Sequence, residues 1–262
     1  MAKRTYIIIL FLIIIVTINY NYLDSKLQGF LIQEEKETIK VIRIVDGDTI
    51  DSSIGKIRML GINTPETTTN EKYSQEAEKF LLEKIANKTI KIEYGAEKKD
   101  LYGRTLGYLI LNGENVNLKL VENGFANYYF PKGKDAHYNE FRLAWENCIK
   151  ENKYLCEKST NKCANCIELR EFGPYSKEFI LYNNCKFDCE LTNWGIKDEG
   201  RKHFTFPEFN LKAGKEIKIK TGESANTEET LFWKGETYVW TNTGDTLFLR
   251  DDSERLVLWQ GY

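Results

Sequence analysis

The stretch RMLGINTPE, residues 58–66, is a short apolar strand and turn with a charged residue at each end. Arg58 precedes the apolar residues, and Glu66 follows a Thr-Pro turn at their far end. Upstream, VDGDTI (residues 45–50) has the Asp-Gly pair of a tight turn between two β-strands. A short strand bounded by a cation and a carboxylate, next to a second acidic turn, indicates a functional site at the end of a small sheet.

Five residues on these two turns offer hard oxygen atoms: Asp46, Asp48, Asn63, Thr64 and Glu66. Either turn alone is weak evidence, because Asp-Gly and Thr-Pro are ordinary turn sequences. Their combination favours a metal site, since carboxylate and amide oxygens suit Ca²⁺ or Mg²⁺ better than a soft metal.

Strand alternation places two arginines beside apolar side chains. Arg58 shares a face with Leu60 and Ile62, and Arg104 shares one with Leu106 and Tyr108. A buried cation is costly without an anionic partner. Two interpretations stay open: structural salt bridges to Asp or Glu, or forks that bind a ligand's phosphate groups. Two phosphate clamps, a metal and a spare carboxylate would form a phosphodiester-hydrolysing site.

The chain's length and composition bound its organisation. With 262 residues, 42% hydrophobic and 29% charged, it can form one large or two ordinary domains, and wholesale disorder is excluded. A net charge of −2 argues against a basic nucleic-acid-binding arm.

The pattern of elements changes along the chain. Residues 38–155 alternate strands with three predicted helices, the first capped by Ser74, which predicts a small β-barrel with helices around it. Residues 156–165 are a cysteine-rich linker. Residues 166–262 contain strands and turns alone, which predicts a β-sandwich. The predicted fold class is therefore mostly β with two domains.

The N-terminus predicts a membrane segment. Residues 1–24 combine Lys3 and Arg4 with a long uncharged apolar run, and residues 25–37 read as a polar spacer. This pattern predicts a single-pass anchor with a cytoplasmic N-terminus and the bulk of the chain outside the cell. A cleaved signal peptide, giving a secreted protein, is the alternative.

The six cysteines allow two interpretations. In an exported chain an even count indicates disulfides, whose pairing the sequence does not specify. Spacings such as CANC also suit a metal site. The residues concerned are Cys148, Cys156, Cys163, Cys166, Cys185 and Cys189.

Four separated motifs resemble the staphylococcal nuclease (thermonuclease) family: VDGDTI, RMLGINTPET, DLYGRTLGYL and VNLKLVENGFA. They occur in the family's order across residues 38–155. The resemblance implies an OB-fold β-barrel with about three helices. It also implies Ca²⁺-dependent hydrolysis of single-stranded or denatured DNA and of RNA by in-line attack of water, leaving 3′-phosphates.

The resemblance also implies roles for individual residues. Glu66 would be the general base, or would orient the attacking water, while Arg58 and Arg104 would stabilise the charged phosphorus centre. One Ca²⁺ would be held by Asp48, Asn63 and the Thr64 carbonyl, with Asp46 behind them. The implied substrate-binding residues are Tyr102, Tyr128 and Tyr129.

Two departures from the family's pattern concern binding. Asn63 stands where the best-known member has aspartate, so we expect weaker metal binding. Leu101 replaces a lysine that helps to hold substrate phosphate. The residues most closely tied to rate are intact.

Residues 166–262 resemble the lamin-tail domain, an Ig-like β-sandwich, through ILYNN, LTNWGIKD and GDTLFLRD. This resemblance implies a non-catalytic module for positioning, or for binding a partner that the sequence does not identify. The leading hypothesis is therefore a surface-anchored or secreted nuclease that the sandwich positions. Its rivals are a weak or inactive nucleic-acid-binding surface protein and an adhesion or envelope protein.

Overall fold

A closed β-barrel forms the first part of the computed structural model, which describes residues 36–173 and 177–262. Its strands are β1 (Glu37–Ile44), β2 (Thr49–Ser52), β3 (Gly55–Met59), β5 (Thr89–Lys99) and β6 (Thr105–Leu111). They lie in the order β3-β2-β1-β5-β6, and a parallel pairing of β3 with β6 closes the barrel. The short strands β4 (Gly61–Asn63) and β8 (Asn127–Tyr129) pair with each other, and β7 (Glu114–Asn115) extends the sheet at β6.

Three helices accompany the barrel: α1 (Ser74–Ile85), α2 (Val116–Glu122) and α3 (Tyr138–Glu151). A 3₁₀ turn at Tyr154–Cys156 follows α3. The prediction that Ser74 caps α1 is wrong: Tyr73 occupies the cap position with φ of 70°, and no side chain caps the helix. The helix begins one residue earlier than a serine cap requires, and Ser74 is buried in its first turn.

A β-sandwich forms the second part. One sheet has the order β16-β15-β10-β9, from Thr230–Trp233, Glu216–Thr221, Glu178–Asn183 and Ile167–Arg170. The other has the order β13-β12-β17-β18, from His203–Thr205, Gly195–Lys197, Thr246–Arg250 and Leu256–Gly261. A small pair joins β11 (Cys189–Glu190) to β14 (Asn210–Leu211). The predicted fold class, mostly β with a barrel and then a sandwich, is confirmed.

Strands β17 and β18 also contribute to the core of the barrel region. Phe248 and Leu256 are buried in the same hydrophobic cluster as the barrel's residues, and Trp259 packs against it. The rings of Trp145 and Phe248 meet edge to face with centroids 5.3 Å apart. Because apolar burial is the largest favourable contribution to packing, this shared core fixes the sandwich against the barrel region.

The six cysteines form three disulfides: Cys148–Cys156, Cys163–Cys189 and Cys166–Cys185. The disulfide interpretation is therefore confirmed over the metal-site interpretation. The first bond ties α3 to the linker, the second ties the linker to the sandwich, and the third lies within the sandwich.

The predicted anchor at residues 1–24 and the spacer as far as residue 35 lie outside the described residues. Within residues 36–173 and 177–262, no helix is both long enough and apolar enough to cross a bilayer.

Candidate active site

The acidic turn between β1 and β2 packs closely against the Thr-Pro turn. A β-carbon at Gly47 would lie 2.7 Å from the Thr64 hydroxyl and 2.9 Å from the Ala77 side chain, so the contact requires glycine. The backbone N–H of Asp48 donates to a carboxylate oxygen of Asp46 at 3.0 Å. Burial, and then the neighbouring Asp48 carboxylate, raise the pKa of Asp46 above its usual range.

The Asp48 carboxylate joins the two turns. One oxygen accepts a hydrogen bond from the Thr49 hydroxyl at 3.0 Å. The other accepts the Thr64 N–H at 3.3 Å and lies 2.9 Å from Nη2 of Arg58. Asp48 and Thr64, predicted together as metal ligands, are therefore adjacent.

Arg58 is almost fully buried and has four acceptors in reach. Besides Asp48, it donates to the Met59 carbonyl, to the Ile62 carbonyl at 2.9 Å and to the Asn63 side-chain oxygen at 3.4 Å. The expectation of an anionic partner is confirmed. The predicted continuous strand is wrong, because a turn at Leu60 ends β3, and Gly61 at φ 75° begins β4 and lets the chain wrap around the guanidinium.

Arg104 lies just before β6 and is partly buried, and Asp100 is the anionic partner expected for it. Its Nε donates to an Asp100 carboxylate oxygen at 2.6 Å. Burial opposes ionisation of Asp100, but the hydrogen bonds from Arg104 hold the pKa of Asp100 below its usual range. Tyr102 is exposed, and the Arg104 guanidinium lies 5.6 Å from its ring centroid.

Glu66 makes a contact that the sequence did not reveal. One of its carboxylate oxygens lies 2.8 Å from Nε of Arg201, in the turn between β12 and β13 of the sandwich. The Glu66 backbone N–H donates to Glu71, which also pairs with Lys197 of the sandwich. The expected water-activating carboxylate therefore lies at the boundary of the two regions.

Asn63 makes the neighbouring contact across this boundary. Its side-chain N–H donates to the Gly200 carbonyl at 2.8 Å, while its oxygen faces Arg58. An aspartate here would set a carboxylate against a carbonyl, so the amide is required by the bond to the sandwich. The departure from the family's pattern thus has a structural cause.

The oxygen donors fit a hard cation in type. Oxygens of Asp48 and Asn63 lie 2.9 Å and 3.4 Å from the same Arg58 nitrogen, so they converge on one position. No group of three His, Cys, Asp or Glu side chains within residues 36–173 and 177–262 is placed to hold a metal ion. A calcium ion here would use Asp48, the Asn63 amide and Thr64, with water or substrate completing its shell.

The three predicted substrate-binding tyrosines have different surroundings. Tyr102 is at the surface. Tyr128 is buried and its hydroxyl hydrogen-bonds Thr246 at 2.7 Å, so it faces the core. Tyr129 is half-buried on β8, opposite Gly61.

A second group of acidic residues lies in the turn between β12 and β13, next to Arg201. The two carboxylate oxygens of Glu199 accept the Phe130 N–H at 3.0 Å and the Thr246 hydroxyl at 2.7 Å. Asp198 accepts the N–H of Lys202 at 2.9 Å. Burial is the main cause that raises the pKa values of Asp198 and Glu199 to about 7.

A cavity of about 410 Å³ opens beside this site, between the barrel region and the sandwich. Pro65, Lys72 and Tyr73 line one side, and Lys197 and Arg250 line the other. Sequence reasoning missed this arrangement because residues far apart in the chain form it.

Comparison with known proteins agrees with this geometry. The family described as "Staphylococcal nuclease homologue" matches residues 56–156, and "Lamin Tail Domain" matches residues 158–262. The thermonuclease of Staphylococcus hyicus is 36% identical over 128 residues, which is 46% of this chain and 76% of that protein. The thermonuclease of Staphylococcus intermedius is 32% identical over 161 residues, or 58% and 94% of the two chains. Endonuclease YhcR of Bacillus subtilis is 36% identical over 174 residues, 59% of this chain and 14% of that protein.

The chain therefore belongs to the staphylococcal nuclease family, and it continues into a lamin-tail domain. Both resemblances seen in the motifs are confirmed. Its enzyme class is that of a nuclease, a phosphodiester hydrolase.

Proposed function

We propose that this nuclease uses Ca²⁺ to hydrolyse single-stranded or denatured DNA and RNA, leaving 3′-phosphates. The observation that carries the proposal is that Asp48 contacts both Arg58 and Thr64, that Arg58 also contacts Asn63, and that Glu66 follows Thr64 by two residues on the same turn. They combine hard oxygen donors, a phosphate fork and a carboxylate, which are the parts that metal-assisted phosphodiester hydrolysis requires.

Glu66 is the residue that acts on water. Its carboxylate accepts a proton from a water molecule, or orients that water for in-line attack. The water oxygen then bonds to phosphorus while the bond from phosphorus to the 5′ oxygen breaks. The phosphate stays on the 3′ side, and the leaving oxygen takes a proton to become a 5′ hydroxyl.

The two arginines bind the phosphate. Their planar guanidinium groups match phosphate oxygens and stabilise the charge that grows during attack. Arg104 is half-exposed and bound to one carboxylate, so it can exchange Asp100 for substrate. Arg58 must exchange Asp48 for a substrate phosphate, and this exchange frees the Asp48 carboxylate for a cation. A bound calcium ion would polarise the phosphoryl oxygen and help to lower the barrier.

The proposed location is the outer face of a cell membrane, with residues 1–24 as the anchor; secretion after cleavage is the alternative. The apolar N-terminal run with its basic start supports this, and so do three disulfides, which persist in oxidising compartments. The sandwich would position the nuclease or bind a partner.

The test uses the full chain on end-labelled single-stranded DNA and RNA, with millimolar Ca²⁺ or with a chelator. We expect cleavage only with Ca²⁺, and products whose new 3′ ends become extendable by a polymerase only after phosphatase treatment. Cleavage in chelator, or products with 5′-phosphates, would contradict the proposal.

A second candidate function is nucleic-acid binding without turnover. Its support is that Arg58, Arg104 and Glu66 all have ion-pair partners, and that Asn63 lacks the charge of aspartate. In the same experiment it predicts retention of labelled DNA with no products.

A further inference from the structure

The sandwich places a cation on the expected catalytic carboxylate. Nε of Arg201 lies 2.8 Å from a Glu66 carboxylate oxygen. The neighbouring Gly200 carbonyl accepts the Asn63 side-chain N–H at 2.8 Å. Two consecutive residues of one sandwich turn therefore contact two residues to which the nuclease motif assigns roles.

The backbone of this turn is fixed, whereas the Arg201 side chain is not. Asn127 donates to the Glu199 carbonyl at 2.9 Å, and the Glu199 carboxylate accepts the Phe130 N–H. Residues 198–200 are buried, whereas the Arg201 side chain is 64% exposed and, among the described residues, forms an ion pair with Glu66 alone. The guanidinium is thus held near the site by its backbone and remains free to change partner.

In-line attack sets the distance from Glu66 to the phosphate. A water bound to Glu66 lies one hydrogen bond away, about 2.7 Å, and phosphorus lies about 3–3.5 Å beyond that water. A guanidinium group already 2.8 Å from the same carboxylate can therefore reach a phosphate oxygen of the bound strand without moving its backbone.

The relative strength of the two ion pairs also favours exchange of Glu66 for a substrate phosphate as the partner of Arg201. An ion pair as exposed as Arg201–Glu66 contributes little, because solvent screens it. A phosphodiester adds a second anion with two oxygens that the planar fork matches. Release of Glu66 would coincide with substrate binding, so the carboxylate would be free when water is to be activated.

We propose that Arg201, supplied by the lamin-tail domain, is a third arginine that binds substrate phosphate in this nuclease, and that it pairs with Glu66 while no substrate is bound. The inference rests on the proposed function above, since it assigns Glu66 to the reacting phosphate. It makes the second domain part of the substrate-binding surface.

The experiment compares steady-state cleavage of single-stranded DNA by the full chain and by Arg201→Ala and Arg201→Lys, across a series of salt concentrations. For Arg201→Ala we expect KM to rise about tenfold, with kcat changed less than about threefold. The slope of log(kcat/KM) against log[salt] should become shallower by about 0.7, the loss of one phosphate contact on a single strand. Arg201→Lys should restore the slope but only part of the affinity, because lysine keeps the charge and loses the fork.

The matched control is Arg170→Ala, another exposed arginine in a carboxylate pair, on β9 of the sandwich's other sheet. It should leave KM and the salt slope unchanged. Thermal unfolding of each variant verifies that the fold is retained.

Three results would overturn the inference: unchanged kinetics in Arg201→Ala, faster cleavage, or a lower kcat with an unchanged salt slope. Faster cleavage would mean that Arg201 restrains Glu66, and a change in kcat alone would mean that it only positions Glu66. None of these three results contradicts the proposed function. That function is contradicted separately if the wild-type chain does not cleave DNA.

If the wild-type chain does not cleave DNA, binding of a fluorescent oligothymidylate tests whether Arg201 contacts phosphate. Weaker binding with a shallower salt slope in Arg201→Ala supports the inference without the enzyme activity. Equal binding by both chains, or no binding by the wild-type chain, overturns it.

Discussion

Two groups of buried carboxylates lie on the two sides of the boundary between barrel and sandwich, and they have different surroundings. On the barrel side, Asp48 contacts the Arg58 guanidinium at 2.9 Å. On the sandwich side, Asp198, Glu199 and Asp245 are bound by backbone N–H groups and by Thr246. Within the described part of the chain, no Lys, Arg or His side chain forms an ion pair with any of these three.

This difference indicates that the barrel-side carboxylate serves catalysis and the sandwich-side carboxylates serve folding. The Asp48 carboxylate is balanced by a cation that a substrate phosphate could take over, so its oxygens can be freed. The sandwich acids have fixed neutral donors, and burial makes their charged form costly. We therefore expect substitutions on the barrel side to change rates, and substitutions on the sandwich side to change stability and its pH dependence.

The largest expected effect is on turnover in Glu66→Gln. Glutamine keeps the size of the side chain but cannot take a proton from water, so kcat should fall about 10²–10⁴-fold. The midpoint of urea unfolding should stay within error of the wild type. The control is Glu168→Gln, a carboxylate paired with Arg170 away from the site. A decrease of only a few-fold would show that Glu66 does not have the assigned role.

Arg104→Lys should rank second. A lysine retains the charge at this half-exposed position but offers no planar fork, so kcat should fall about 10²-fold. Cleavage rates at saturating DNA measure the effect. Full activity in this variant would return Arg104 to a structural salt bridge with Asp100.

On the sandwich side, Thr246→Val tests assembly. Valine matches the shape of threonine but removes the hydroxyl that bonds both Glu199 and Tyr128, leaving buried polar atoms without partners. The free energy of unfolding should fall by about 1–3 kcal/mol, while kcat at 25 °C stays near the wild type. Thr205→Val, at an exposed position on β13, is the control. Equal stability of the two variants would contradict the role given to this hydroxyl.

The smallest expected effect is a pH dependence carried by Asp198. Burial, and then the Asp245 carboxylate, raise the pKa of Asp198 from 3.8 to about 7 in the folded chain. Between pH 4 and 7 the folded state therefore binds more protons than the unfolded state. The contribution of this group to stability consequently decreases as pH rises through that range.

Asp198→Asn removes this contribution. The free energy of unfolding of the variant minus that of the wild type should increase by about 1 kcal/mol or more between pH 5 and pH 8. Urea unfolding at the two pH values measures it. A difference that does not change with pH would show that Asp198 titrates near its ordinary pKa.

The barrel's site could be predicted to a large extent because its residues lie on two local motifs. Asp46 and Asp48 lie on the Asp-Gly turn before β2, Asn63 and Thr64 lie at the Thr-Pro turn after β4, and the Thr64 N–H donates to Asp48 across the two turns. The buried position of Arg58 also followed from strand alternation, although Gly61 interrupts the strand. Which of Tyr128 and Tyr129 faces the core could not be predicted, because an aromatic pair in sequence does not show it.

The sequence by itself determined the fold class, the order of the two regions and the nuclease motifs, because hydrophobic periodicity and turn residues act over short distances along the chain. Only the tertiary structure decided the cysteine pairing, the burial of Tyr128 and the contacts of Gly200 and Arg201 with Asn63 and Glu66. These last residues are 137 and 135 positions apart in the sequence and have no shared local pattern. Packing of β17 and β18 against the barrel's core brings them together, and no local signal specifies that packing.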